Sequence, residues 1–469
     1  KLGSKKDGTL YAIEMEVLSN TGAYGTHAPT VLGNSGAMTL PLYNKAQHLW
    51  FHGQAVYTNL PVAGAYRGYG ATQGYFALEV AMDMLAERLG MDPIELRRKN
   101  HIRAGESSLI FAKLGEGRKK KPQIVHSCAL EECLQVGAAR IGWEEKRGKR
   151  RREGNWAYGV GMACAMQGSG ITGIDMATAT IMMNENGSFR LLVGATDIGT
   201  GSDTILAQIA AEVLGVPVER ISIYSSDTDF TPFDTGAYAS STTYVSGMAV
   251  LRAAQEVRRK ILEVAAGMLA EPPQDLKLAE ERVTSTKTGK SVTLSEVGHR
   301  ALYVADQQHI IASASFVPEE SPPPFAAFFC EVAVDTDTGL VRVERFVAAA
   351  DCGVAIHPKL AAGQLEGAIV QGIGHALMEE LLFTEKGRCL NANLFDYKIP
   401  SALDVPEIEV VLVDSEEPTG PLGAKSIAEV GINGPLPAIA NAIYDAVGVR
   451  LFRAPFTPAR VLSALAERG

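Results

Sequence analysis

The sequence predicts an α+β fold in which mixed sheets and helices build two domains, and three observations carry that reading. A chain of 469 residues with 46% hydrophobic content buries a large core but exceeds one ordinary domain. Beyond Trp156 the apolar period alternates: residues 189–193 and 221–224 read as strands, and residues 204–214 between them as a helix. Residues 328–334 and 340–347 read as strands joined by the five-residue turn Asp335-Thr-Asp-Thr-Gly339.

The elements follow in order. Residues 1–9 read as a strand entering an Asp-Gly turn with no initiator Met, so the chain is expected to enter in mid-domain. A helix over 73–89 places Phe76, Val80, Met84 and Leu85 on one face and ends before Gly90. Asp92 caps a second helix over 94–99, with Pro93 in its first turn and Glu95 at capping-box spacing. The span 105–152 is polar and basic, which predicts a boundary near residue 122 and domains of 1–122 and 123–469. Glu319-Glu-Ser-Pro-Pro-Pro324 is a rigid connector. Ala438, Ile439, Ala442, Ile443 and Val447 recur at helical spacing, and a last helix opens at Thr457-Pro458.

A formal charge of −9 disfavours nucleic acid or an anionic membrane as the principal partner. The basic clusters at 118–121 and 146–152 are short, border glycine or proline, and read as solvated linkers. Six cysteines lie scattered without a C-x-x-C pair, so neither a zinc site nor an iron–sulfur cluster is encoded, and a reduced, cytoplasmic chain is expected. There is no run long enough to span a membrane and no signal peptide.

The most informative stretch is 423–448, G-A-K-S-I-A-E-V-G-I-N-G-P-L-P-A-I-A-N-A-I-Y-D-A-V-G. It sets Glu429 in a glycine-rich loop that runs into an apolar helix. Glycines 423, 431 and 434 and prolines 435 and 437 keep the backbone there out of regular helix, so the carboxylate stands at a loop-to-helix junction suited to a base. By pattern alone it reads equally as a solvated loop acid. Four further segments are glycine-rich: 65–74 (A-Y-R-G-Y-G-A-T-Q-G), 167–173 (Q-G-S-G-I-T-G), 194–202 (G-A-T-D-I-G-T-G-S) and 234–243 (D-T-G-A-Y-A-S-S-T-T). The third precedes a helix, so free N–H groups are expected there for an anionic oxygen, although it is neither a Walker loop nor a dinucleotide fingerprint. In 363–374, Gln364 and Gln371 offer paired amides and the glycines admit a flat ring, or else form a close helix seam.

Together and in this order, these segments resemble the molybdenum-binding subunit of the xanthine dehydrogenase (molybdenum hydroxylase) family, across essentially the whole chain. The resemblance implies an elongated architecture of two molybdopterin-binding domains. A-Y-R-G-Y-G is similar to the family's loop beside the metal, which implies cofactor contacts for Arg67 and Gly68 and substrate-facing rings for Tyr66 and Tyr69. D-I-G-T-G-S resembles a pterin-contacting loop, implying Gly199, Thr200 and Gly201, with Thr200 standing in place of the usual Gln. S-S-T-T (240–243) is similar to a serine-rich cofactor turn, implying Ser240 and Thr242 with Ala239 just before them, and G-Q-L-E-G implies Gln364. G-A-K-S-I-A-E matches a family signature that implies Lys425 at the cofactor and Glu429 as the catalytic base.

The resemblance implies molybdopterin, or molybdopterin cytosine dinucleotide, carrying molybdenum through its dithiolene and no protein ligand to the metal. It further implies oxidation of a small molecule with water-derived oxygen, and partner chains that carry iron–sulfur clusters and FAD. Gly68 stands where carbon monoxide dehydrogenases place cysteine, which argues against that substrate. The tyrosines favour a purine or a nicotinate-like N-heterocycle over an aldehyde, although 32–37 lacks the arginine of xanthine oxidisers. The family's earlier half has no counterpart here, so a fragment or a subunit split over two chains is expected. A non-catalytic cofactor-binding scaffold is the reading from another class.

Overall fold

The computed structural model describes residues 1–115, 122–304 and 307–468, so the basic cluster at 118–121 lies outside them. Two compact units form. The first comprises Lys1–Gly168, Pro322–Glu416 and Ile427–Gly469, and the second Ser169–Ser321 and Glu417–Ser426. The units are therefore interleaved along the chain, whereas the sequence expectation divides it once, near residue 122. One crossing, Ser321 to Pro322, does fall in the connector at 319–324.

The first unit contains a three-stranded sheet of β1 (Leu2–Ser4), β2 (Leu10–Gly22) and β3 (His48–Tyr57), in that order. Its larger sheet runs β15-β14-β13-β5-β4, from Glu407–Leu412, Val341–Asp351, Phe325–Asp335, Trp156–Met166 and Arg152–Glu153. Only β14 and β15 pair in parallel. Helices cover both faces. Gly434, at the head of the helix Pro435–Val447, abuts Phe328, while Gly137 of the helix Leu130–Ile141 abuts Phe329 on the opposite face. Two-sided burial explains why β13 reads Phe-Ala-Ala-Phe-Phe-Cys with no polar alternation. In β5, Gly159 and Gly161 are needed because a Cβ at either would strike backbone of the Pro435–Val447 helix at Ala442 or Ala446.

The expected hairpin forms, with strands longer than predicted and Gly339 at φ 74° in the turn. The expected helices also form, as Ala71–Leu89, Pro93–Asn100 and Pro458–Arg468. Asp92 caps the second through Ile94 N at 2.7 Å. The residues that the first of these helices buries include Tyr75, Leu78, Glu79, Met82, Asp83 and Ala86 together with the expected Val80, whereas Phe76, Met84 and Leu85 are only partly buried. Two carboxylates among these disguised the buried face. Glu79 is fully buried against fully buried Arg97, with Nε 2.7 Å from Oε2, and it also accepts from Cys164 N at 2.7 Å. Arg97 donates further to the carbonyls of Glu79 and Pro93. A buried pair is tolerated when its polar atoms are satisfied in this way.

The second unit holds a four-stranded sheet of β12 (Ile311–Phe316), β6 (Ala177–Met183), β7 (Phe189–Val193) and β8 (Ile221–Ser225). The helix Ser202–Leu214 connects β7 to its parallel neighbour β8. This is the strand–helix–strand pattern read from 189–224. The helix Val245–Leu269 packs beside it, and β9 (Leu276–Ala279), β10 (Arg282–Ser285) and β11 (Ser291–Thr293) form a small separate sheet. Among the described residues no helix is long and apolar enough to cross a membrane.

Candidate active site and cofactor cradle

In the first unit, stretches far apart in sequence meet around the loop that carries Glu429. Gly68, Tyr69 and Gly70 take φ of 88°, 45° and 93°, a run of left-handed backbone immediately before the helix Ala71–Leu89. Glycine adopts this region freely, but Tyr69 does so only under constraint, and such outliers concentrate at functional sites. The Tyr69 hydroxyl is held 2.7 Å from His27 Nδ1 and 2.8 Å from Thr30 Oγ1. The turn points the Gly68 N–H at Glu429, with N 3.1 Å from Oε1. On its other side the Gly68 carbonyl accepts from Gln167 Nε2 at 3.4 Å, and Gln167 Oε1 accepts from Asn433 Nδ2 at 3.2 Å.

Arg67 joins the Glu429 loop to the helix Pro358–Leu377. Its Nε donates to Ala428 O at 2.6 Å, and its Nη2 donates to Gln364 O at 3.2 Å and Oε1 at 3.1 Å. Burial lowers the Arg67 pKa, opposed by the negative charge of Glu429. Tyr66 stands half-exposed with its ring edge-on to His375 at 6.0 Å. Burial raises its pKa, as does nearby Glu379, against a hydrogen bond with Gln371.

Gln364 and Gln371 thus both engage the Tyr66-Arg67 stretch. The helix that carries them resolves the alternatives for its glycines. Gly372 packs against Pro435, with an added Cβ 2.7 Å from its Cβ, and Gly374 packs against Pro400, so these two form a seam. Gly363 and Gly367 are exposed, and an added Cβ at either would meet nothing within 4 Å. They leave open space beside Gln364.

In the second unit, Gly199, Thr200 and Gly201 form the loop that starts the helix Ser202–Leu214. Their N–H groups were expected to be free for an anion, and the structure corrects this. Asp197 Oδ1 accepts from Gly199, Thr200 and Gly201 at 2.9, 2.9 and 3.1 Å, and Oδ2 lies 3.4 Å from Asp203 N. Burial alone would raise the Asp197 pKa, but these N–H groups outweigh it and hold the pKa below the usual carboxylate range. A carboxylate already occupies the place predicted for an anionic ligand. The Cα of Gly199 still faces open space.

Ala239 and Ser240 are consecutive left-handed residues, φ 51° and 55°, ahead of the helix Val245–Leu269. Ala239 O accepts from Gly170 N at 2.9 Å, and Ser241 is buried behind half-buried Thr242. Lys425 is buried on the segment Glu417–Ser426. Its neighbour Ser426 bonds Ser169, with N to Oγ at 3.1 Å, so the 425–426 and 239–240 stretches meet across residues 169–170. Residue-by-residue reading missed Asp197, Gln167 and Asn433. Each nevertheless lies in a segment marked by its glycines.

Two family profiles, both described as molybdopterin cofactor-binding domain, match residues 1–101 and 137–406. The chain is 42% identical to the probable hypoxanthine oxidase XdhD of Escherichia coli K12, over 99% of this chain and 48% of that protein. It is 36% identical to the putative xanthine dehydrogenase molybdenum-binding subunit XdhA of the same organism, over 98% of this chain and 61% of that one. It thus spans about half to three-fifths of the length of these relatives. The solved quinoline 2-oxidoreductase of Pseudomonas putida 86 superposes with a TM-score of 0.91 at 26% identity, covering 100% of this chain and 62% of that one.

Proposed function

This chain belongs to the molybdopterin cofactor-binding domain family, and from that premise we propose that it forms part of the molybdenum subunit of a hydroxylase that oxidises an N-heterocycle, a purine first, using water-derived oxygen. The observation that carries the proposal is the convergence of Arg67, Gly68 and Gln364 on the Glu429 loop. The hypoxanthine oxidase and xanthine dehydrogenase names of the relatives favour a purine. The matched segments, residues 1–101 and 137–406, lie on either side of residue 122, which supports 1–122 and 123–469 as sequence domains distinct from the interleaved compact units.

The residues fit a large, flat, polar cofactor. In the first unit, open space beyond Gly363 and Gly367 lies beside the Gln364 amide, which suits a polar edge of such a ring. In the second unit, Gly199 faces open space, and the Thr200, Ser240 and Thr242 hydroxyls are of the kind such a ring requires. Lys425 suits its negative charge. In the first unit Arg67 and Gly68 hold the Glu429 loop and would contact the cofactor, with Tyr66 and Tyr69 toward the substrate; in the second, Ala239 would contribute backbone. Among the described residues there is no cluster of three or more His, Cys, Asp or Glu arranged to hold a metal, and a molybdenum bound by pterin sulfur needs none. What the cofactor supplies when bound is two-electron redox chemistry.

This chain's own contribution is placement and a proton acceptor. The Gly68 N–H fixes one carboxylate oxygen of Glu429, and Arg67 fixes the carbonyl of the preceding residue, so the base is oriented before substrate arrives. Glu429 then takes the proton of the attacking water. Tyr66 and Tyr69 present ring surface to a heterocycle. Electrons leave through an iron–sulfur subunit and an FAD subunit, and the assembly is cytoplasmic, in keeping with cysteines that form no paired motif.

The purified complex, assayed with a dye acceptor against purines, nicotinate and aldehydes, tests the reading. Glu429→Gln should keep its molybdenum and lose at least about a hundredfold in turnover. Full loading with turnover within roughly threefold of the parent would refute the base. Absence of molybdenum from the parent complex would favour a scaffold, and preference for aldehydes would move the substrate class.

A further inference from the structure

Two buried amides of the first unit stand behind the Gly68 turn, Gln167 at 4% exposure and Asn433 at 0%. Asn433 Nδ2 donates to Met166 O at 3.3 Å and to Gln167 Oε1 at 3.2 Å, and Gln167 Nε2 donates in turn to Gly68 O at 3.4 Å. Both orientations are dictated, because turning either amide over would set oxygen against oxygen. Met166 is the last residue of β5, and the Gln167 N–H donates to Pro324 O at 3.2 Å, immediately before β13 begins at Phe325. The relay of amides therefore starts from one end of the five-stranded sheet.

It reaches Glu429 by two routes. Through Gln167 it holds the Gly68 carbonyl, and the N–H of the same glycine donates to Glu429 Oε1 at 3.1 Å. Through Asn433 it holds the short helix Val430–Asn433 that starts at Glu429, where Ile432 N lies 3.2 Å from Glu429 O. One oxygen is left over. Asn433 Oδ1 is buried without a hydrogen-bond partner among the described residues, and it lies on the side of Gly68 where a side chain would stand, 2.7 Å from an added Cβ. Such an acceptor costs about 1–3 kcal/mol, which a leucine of similar volume would avoid. Packing alone does not account for an amide at this position; a requirement for its Nδ2 donor does.

We propose that Gln167 and Asn433 are positioning residues for Glu429, fixing its carboxylate relative to the adjoining ends of β5 and β13. The proposal rests on the reading of Glu429 as the base. Neither amide touches the reacting atoms; their effect on turnover passes through Gly68 and the Val430–Asn433 turn to the carboxylate. A base held by loop contacts alone moves with its loop, whereas one tied to a sheet keeps its place, and a displacement of about 1 Å at a reacting group costs on the order of a hundredfold in rate.

Gln167→Met keeps the length of the side chain and removes both its polar atoms, and Asn433→Leu breaks the relay at its other end while removing the stranded oxygen. In the purified, molybdenum-loaded complex each should lower kcat about tenfold or more with KM within about twofold of the parent. The Gly68 amide should exchange with solvent at least about tenfold faster, a readout independent of turnover. Combined with Glu429→Gln, either substitution should lower turnover no further, because a positioning residue has no effect once the group it positions is gone. A merely structural amide would still lower it. That residual loss overturns the proposal, as does a kcat within about twofold of the parent in either variant, or unchanged exchange at Gly68. Failure of both variants to assemble with molybdenum overturns it too, since the amides would then serve the fold. Full turnover in Glu429→Gln alone sinks the base reading, while exchange at Gly68 still reports separately whether the amides hold the turn.

Discussion

Gly68→Ala joins the backbone geometry of the site to a measurable stability. At φ 88° an alanine enters the left-handed region, which costs an L-residue about 1–2 kcal/mol. Its Cβ would lie 2.7 Å from Asn433 Oδ1, 2.8 Å from Thr72 Cγ2 and 3.0 Å from Ile432 Cγ2. These neighbours have little room to retreat, because Asn433 is fully buried and anchored to Met166 O and Gln167 Oε1 through its Nδ2. Overpacking of this kind adds about 1–3 kcal/mol, for a total of about 2–5 kcal/mol. In a unit of this size that is a fall of roughly 3–8 °C in Tm. Differential scanning calorimetry on parent and variant reads the shift directly. The Gly68 N–H to Glu429 is displaced in the same step, so turnover in the assembled complex should fall even where the protein remains folded at the assay temperature. A Tm within about 1 °C of the parent would show that the turn relaxes freely and that the clamp on Glu429 is not rigid.

Gly363→Ala should behave in the opposite way: with no atom within 4 Å of the new Cβ in the helix Pro358–Leu377, it should stabilise the cofactor-free chain by about 0.5–1 kcal/mol while lowering pterin content, and unchanged pterin would remove Gly363 from the cradle. Asp197→Ala should cost about 0.5–2 kcal/mol at pH 7. Because the folded-state pKa of Asp197 is depressed, its contribution is complete above the unfolded value of about 3.9 and disappears as pH falls through the folded value; melts between pH 2 and 7 should therefore converge at the acid end, and a gap independent of pH would contradict the N–H cap. Glu79→Gln strands the buried Arg97 charge and should destabilise by about 3–5 kcal/mol in chemical denaturation, whereas replacing both partners with apolar residues should recover much of that loss; equal losses would mean that packing, and not charge, dominates.

What was legible in the sequence was what the backbone demands locally. The glycine-rich segments 65–74 and 194–202 stood out, and within them Gly68, Gly70 and Gly199 take left-handed backbone. Asp92 and Pro93 announce a helix start, which forms where they place it. Side-chain partners were not legible, because they depend on what the chain brings back from a distance. Glu79 and Asp83 look like solvent-facing acids until Arg97, Arg147 and Arg450 arrive to pair with them. The interleaving of the two units was hidden for the same reason. β5 pairs with β13 some 160 residues later, a register that neither strand encodes alone.

Asp197 is the most instructive gap. A glycine-rich loop before a helix offers the same N–H groups whether an external anion or the chain's own carboxylate will accept them, so the motif identifies a donor cluster without identifying its acceptor. At Glu429 the donor and the acceptor both belong to the chain: the Gly68 N–H meets the carboxylate, and Arg67 holds the backbone just before it. Orientation of this carboxylate, the proposed base, is therefore set during folding. Gly363 and Gly367 in the first unit, and Gly199 in the second, follow a different logic, for each contributes the absence of a side chain and leaves open space beside its own backbone. Substitution at the first kind of position should lower the stability of the polypeptide itself, whereas at Gly363 it should lower what the polypeptide binds without any such loss.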